Sequence, residues 1–131
     1  MTPALGGDKQ MEESILNSLK RMIGIDPEDG AFDSDLIIHI NTIFITLFQL
    51  GIGPSEVFHI EDANAVWSDF IQNGNDLMGC KTYMGLKLRM VFDPPTSSAV
   101  SEAFKSAIAE QEFRLMSQME TFRQMEVSNN G

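Results

Sequence analysis

The stretch Met90-Val91-Phe92-Asp93-Pro94-Pro95-Thr96-Ser97-Ser98 separates two helix-like runs and limits how they can be joined. Asp93 precedes a proline and is driven away from helical angles. Pro94 and Pro95 offer no backbone N–H and crowd the preceding turn, so no helix passes through them. Thr96, Ser97 and Ser98 then supply hydroxyls that accept the orphan N–H bonds of a new helix. Asp93, Pro94 and Pro95 thus form a stiff hinge that sets the angle between two helices. Such geometry suits a shaped building block better than a catalyst.

Helical spacing dominates on both sides of the hinge. In residues 11–23, Ile15, Leu16, Leu19, Met22 and Ile23 recur on one face, and Gly24 stops the run. Asp26-Pro27-Glu28-Asp29-Gly30 reads as a turn. Asp33 is placed as the next N-cap, with Asp35 favouring the positive end of the helix dipole. Residues 36–50 are apolar nearly all round and predict a central, buried helix, closed by Gly51-Ile52-Gly53-Pro54.

Phe58, His59 and Ile60 fall in a connector with extended character. Residues 63–72 predict a short helix that buries Trp67, Phe70 and Ile71, and residues 77–92 a fourth helix. Gly79 and Gly85 inside it each cost about 1 kcal/mol relative to alanine, a cost accepted where another backbone approaches closely. Residues 97–122 predict the last and longest helix, with Val100, Ala103, Phe104, Ala107, Ile108, Gln111 and Leu115 facing the core. Glu110 and Arg114 form an i,i+4 pair on its surface. The expected fold is all-α: a compact bundle of about four to five helices, the long C-terminal one following the Pro-Pro hinge.

With 131 residues the chain is read as one domain. Residues 1–10 contain Gly6-Gly7 and no periodicity, and read as a flexible leader, with Met11 a candidate initiator. Residues 11–115 form the helical domain. Residues 116–131 carry a helix end and a disordered-looking tail, residues 127–131. Within this last part Met116, Met119, Phe122 and Met125 recur every three residues. Methionine adapts to irregular grooves, so this stripe is either packed on its own domain or a docking strip.

Hydrophobic content of 43% with 21% charged residues describes a globular chain rather than a disordered one. No apolar run reaches the roughly 18 residues of a membrane span. Cys80 is the one cysteine, which rules out an internal disulfide and a cysteine-based zinc site; it is read as a small packed side chain. The net charge is −10, and no Lys or Arg occurs between Arg21 and Lys81. Asp26, Glu28, Asp29, Glu56, Glu61 and Asp62 all fall in this span. A surface so composed repels phosphate and argues against sequence-reading DNA or RNA binding. It is either a solvated acidic face or a rim that meets a basic partner or a passing polyanion.

No catalytic pattern is present. His39 lies in the apolar run and His59 in the connector, neither beside a nucleophile. The acidic stretch from Asp26 to Asp35 is no EF-hand: its glycine is at the wrong offset and the closing glutamate is missing. There is no Walker A sequence, dinucleotide fingerprint or nucleophile elbow. The chain is read as no enzyme, with no cofactor and no metal.

Several stretches resemble the head–tail connector family of tailed bacteriophages and prophages, the head-completion or adaptor proteins beneath the portal. They are residues 15–25 (ILNSLKRMIGI), 32–53 (FDSDLIIHINTIFITLFQLGIG), 66–70 (VWSDF), 81–88 (KTYMGLKL), 92–98 (FDPPTSS) and 112–115 (EFRL). The most specific parts are Asn41 with Gln49-Leu50-Gly51, and Phe92-Asp93-Pro94-Pro95.

The resemblance implies a structural virion protein at the head–tail interface, assembled in the host cytoplasm. It implies a homo-oligomeric ring, twelve-fold, on the phage portal protein, with other connector or stopper proteins as further partners. DNA is only passing cargo and no membrane is involved. In relatives a C-terminal segment inserts into the portal side, which gives Met116, Met119, Phe122 and Met125 a use in portal or subunit docking. Asp26, Glu28, Asp29, Glu56, Glu61 and Asp62 become candidate tunnel or rim residues, since a negative wall lets DNA slide. The competing reading is an acidic helical binding module, such as an inhibitor that mimics DNA charge.

Overall fold

The computed structural model describes residues 11–72 and 74–130, and in that range the elements of regular structure are helices. Five helices follow one another: α1 (Ile15–Met22), α2 (Asp33–Gln49), α3 (Trp67–Phe70), α4 (Gly74–Phe92) and α5 (Ser98–Asn130). This is the expected all-α bundle, with some boundaries and one central assignment changed.

The hub is α4, not the apolar run of α2, because α1, α2 and α5 all pack on α4. Its Leu77, Cys80, Tyr83, Met84 and Leu88 are buried. Gly79 and Gly85 let neighbours close in, but those neighbours are side chains rather than backbone. A Cβ at Gly85 would collide with the end of Met22 on α1; one at Gly79 would stand 3.1 Å from both Gln111 and Leu115 on α5.

On α1, Ser14 rather than Met11 begins the helix, its hydroxyl accepting from Asn17 N–H at 3.2 Å. Ile15, Leu16 and Leu19 are buried, whereas Met22 is half exposed although its tip covers Gly85. The chain before α1 pairs with the chain before α3: Ile15 N–H donates to Ala65 O at 2.9 Å and Trp67 N–H to Glu13 O at 3.2 Å. Trp67, fully buried, donates its indole N–H to Ser18 Oγ at 2.8 Å. Only Trp67–Phe70 is helical in this region, and Ile71 is half-buried, so the short helix ends sooner than its apolar spacing suggests.

Asp33 is not the N-cap of α2. Phe32 occupies that position without a side-chain bond, and the Asp33 carboxylate goes elsewhere. Lys20 lies on the apolar face of α1 and is fully buried; its ammonium donates to Asp33 Oδ1 and Asp29 O, each at 2.7 Å, and to Pro27 O at 3.0 Å. The acidic turn folds around this one cation, which is the arrangement a buried charge requires.

One side of α2 is core: Leu36, Ile40, Ile43, Phe44 and Leu47. After it, Gly51 and Gly53 take φ of 82° and 95°, and Phe70 lies over Gly53 where a Cβ would collide with its ring. Phe44, Phe58 and Phe70 then cluster with centroids 4.8–5.4 Å apart. Asn41 holds the returning connector by its amide alone. Its Nδ2 donates to Ile60 O at 3.0 Å, and its Oδ1 accepts Ile60 N–H at 2.8 Å.

Helix α5 packs on α4 over its first half. Among its described side chains Leu115 is buried; Phe104, Ala107, Ile108 and Gln111 are half-buried, while Val100 and Ala103 of the expected stripe are exposed. The helix continues through Asn130, so residues 127–130 are helical rather than a disordered tail. Tyr83 O–H donates to Glu112 Oε2 at 3.0 Å, tying α4 to α5. Burial first, and then the Glu112 carboxylate beside it, hold the Tyr83 hydroxyl well above its ordinary pKa.

Asp33→Asn keeps the shape of the carboxylate but removes the countercharge of a buried ammonium, and is expected to cost about 3 kcal/mol in urea unfolding. Lys20→Met replaces the buried charge by an apolar chain of similar length and is expected to cost less. Equal losses would show that the carbonyl bonds, not the charge pair, secure the turn.

Tyr83 is the chain's one tyrosine, so an alkaline absorbance titration reads it alone. Its folded pKa lies above the unfolded value, so its contribution to stability is whole below about pH 10 and is lost as pH rises towards the folded value. Ionisation is expected to coincide with loss of helical signal. A midpoint near pH 10 with the helices intact would contradict the bond to Glu112.

Candidate interaction surfaces

The hinge segment lies between Phe92, the last residue of α4, and Ser98, the first of α5. Its two ends are held by ring contacts. Phe92 meets Phe32 edge to face, with centroids 5.2 Å apart, and the Arg89 guanidinium lies 5.4 Å from the Phe104 ring centroid. Asp93 N–H still donates to Arg89 O at 2.8 Å, closing the last turn of α4. Ser97 opens the next helix: its carbonyl accepts Ser101 N–H at 2.9 Å and its hydroxyl Val100 N–H at 3.4 Å. Asp93 and Pro94 are exposed and Pro95 is half-buried.

The acidic residues fall on two separate loops and all are exposed. Asp26, Glu28 and Asp29 lie on the turn between α1 and α2. There Asp26 accepts Glu28 N–H at 2.9 Å and Asp29 accepts Ala31 N–H at 3.1 Å. Glu56, Glu61 and Asp62 lie on the connector between α2 and α3, where Asp62 accepts Asn64 N–H at 2.8 Å. The carboxylates of Asp26, Asp29 and Asp62 thus shape turns as well as supplying charge.

The cations are dispersed. Lys81 stands over Trp67 and 3.8 Å from Glu13, and Lys87 stands over Tyr83. Arg21 and Lys81, which bracket the cation-free part of the sequence, both line an open cleft between α1 and α4 with Asn17, Glu13 and Thr82. His59 is exposed, 3.8 Å from Glu61, His39 is half-buried on α2, and Cys80 is buried. Among the described residues no three His, Cys, Asp or Glu side chains gather where they could hold a metal ion. In the same range no helix is long and apolar enough to cross a membrane.

Apolar side chains on α2 and α5 are exposed among the described residues. On the outer side of α2, Ile38 is 63% exposed, Ile45 45% and Phe48 39%, so the helix is not buried all round. The five core residues of α2 already form one stripe. Ile38, Ile45 and Phe48, at i, i+7 and i+10, form a second that continuous apolar composition concealed. On α5, Met116 is 47% exposed and Phe113 71%. Phe113 begins this surface one turn before Met116, a residue that attention to the methionine spacing passes over. Met119, Phe122 and Met125 have side chains outside the described residues.

The chain matches the phage connector protein family over residues 15–121, from the first residue of α1 well into α5. No curated protein and no solved structure gives a match. The matched stretch takes in the hinge, the Asn41 clamp and all three helices that pack on α4, and on that extent the chain belongs to the phage connector protein family.

Proposed function

We propose that this protein is a ring connector of a tailed-phage virion, seated between the portal at the capsid vertex and the tail and extending the DNA tunnel. The family match over residues 15–121 carries the reading. It is a structural role without a reaction of its own. The partners are the portal protein, further connector or stopper proteins, and other copies of the chain in a twelve-fold ring, with DNA as passing cargo.

Three features support this reading. The hinge at Asp93, Pro94 and Pro95 is braced on both sides by aromatic contacts, as a part that must hold an angle requires. The exposed carboxylates Asp26, Glu28, Asp29, Glu56, Glu61 and Asp62 give a surface that does not retain DNA. Phe113 and Met116 leave an exposed apolar surface on α5 of the kind that a portal or a neighbouring subunit covers, and Met119, Phe122 and Met125 follow in the sequence of the same helix.

Electron microscopy of the protein mixed with its portal is expected to show a ring stacked on the portal; particles identical to portal alone would refute the reading. Truncation after Leu115 is expected to leave a cooperatively folded domain, because the buried core side chains among the described residues run from Ile15 to Leu115. The same truncation is expected to abolish portal pull-down. A truncated protein that melts far lower yet still binds would make the strip part of the core instead.

Pro94→Ala with Pro95→Ala removes the helix break, so helical signal is expected to stay equal or rise. Particle yield is expected to fall because α5 leaves at another angle. Normal yield of infectious particles would make the hinge incidental.

A further inference from the structure

We propose that α5 is an exchangeable arm: in the ring each copy lays its α5 on the α4 of the next copy instead of on its own. The proposal rests on the ring reading above and adds what holds neighbouring copies together.

Among the helices, α5 packs extensively on α4 alone, along one seam. Leu115 and Gln111 lie over Gly79, the Gln111 amide donating to Gly79 O at 3.5 Å. Tyr83 O–H donates to Glu112, and Arg89 stands over Phe104. These pairs run in opposite directions along the two helices, so α5 lies antiparallel on α4. The α5 of a second copy meets the same bare glycine, the same hydroxyl and the same guanidinium. The seam therefore passes between chains without losing a bond.

The rest of the domain closes without α5. Among the described residues the buried apolar side chains other than Leu115 all lie between Ile15 and Leu88. Trp67 with Ser18, Asn41 with Ile60 and Lys20 with Asp33 are pairs made within the same range. An arm that leaves takes none of these with it.

The connection favours an open arm. It consists of the residues between Phe92 and Ser98, and among the described residues none of the hinge hydrogen bonds involves Pro94, Pro95 or Thr96. Two successive prolines, with Asp93 driven to extended angles by the first, prefer a straight segment to the reversal that an antiparallel pair needs. At 3.1 Å per residue a straight segment of this length spans about 15 Å, more than the roughly 8–10 Å between packed helix axes. Phe92 keeps its contact with Phe32 in either arrangement, because both precede the hinge. Within a ring the neighbour's seam is held close and competes as a tethered partner does. Each copy gives one arm and takes one, a head-to-tail exchange that closes into a ring.

Cross-linking across the seam tests this. Arg89→Cys and Phe104→Cys stand on its two sides, at an exposed and a half-buried position, while the native Cys80 is buried. The two single variants are mixed equally in urea, refolded together, assembled on the portal and treated with a short bis-maleimide. The mixture is expected to give covalent dimer about tenfold above either variant alone, since each single variant lacks the opposing thiol. The double variant is expected to give a ladder of multimers. Lys87→Cys with Ile108→Cys, one turn along in the same register, repeats the test should the first pair impair folding. Cross-links confined to monomers of the double variant, within a ring seen by microscopy, would overturn the exchange and leave the ring intact. A wild-type chain that neither oligomerises nor joins the portal, with cross-links again confined to monomers, would overturn both.

Discussion

Helix α4 can touch three neighbours because two of its positions carry no side chain. At Gly85 the end of Met22 fills the space where a Cβ would stand, and at Gly79 Gln111 and Leu115 come within van der Waals reach of it. Each glycine gives up about 1 kcal/mol of helix propensity relative to alanine. The loss is offset where a long side chain of α1 or α5 buries its tip against bare backbone. The remaining core, from Tyr83 and Leu88 to Leu36 and Ile40, closes around a helix whose own apolar pattern is weak. A substitution at either glycine acts on the spacing of the bundle and not on one contact.

The elements of the fold were legible where periodicity and punctuation agreed. The break after Phe92, the glycine stop at Gly24, the turn at Gly51 to Gly53 and the pairing of Glu110 with Arg114 all follow from local chemistry, and each stands where that chemistry puts it. What could not be read was anything settled by a partner distant in the chain. Asp33 has the side chain of an N-cap, but a buried ammonium thirteen residues earlier competes for it and wins. Lys20 stands between Leu19 and the next turn of the same face, a hint that one apolar position is filled by a cation and that the following acidic turn is its counterion. Helix α2 misled in the opposite direction, because continuous apolar composition hides whether a helix has cover on one side or two.

The candidate surfaces divide in the same way. The hinge was visible in three residues, since proline acts through its own geometry. Met116 was found from spacing, whereas Phe113 on the same surface was missed because it lies inside the segment whose other members face α4. The acidic residues were read as one span without Lys or Arg, and sequence order could not tell that they belong to two loops. Asn41 was noticed only for its identity; its role as the clamp on Ile60 depends on an extended segment nineteen residues away.

Helix α5 spans Ser98–Asn130, 33 residues, while its braced end lies beside Phe104 and its buried anchor is Leu115. It is a lever. At 1.5 Å per residue its length is roughly 50 Å, so a tilt of about 10° at the proline pair sweeps the far end through about 9 Å, nearly the width of a helix. Small errors at the fulcrum are thereby magnified at the tip. In the proposed ring every copy would repeat the same tilt, so the diameter traced by the tips would depend on a backbone angle held by two prolines and two ring contacts.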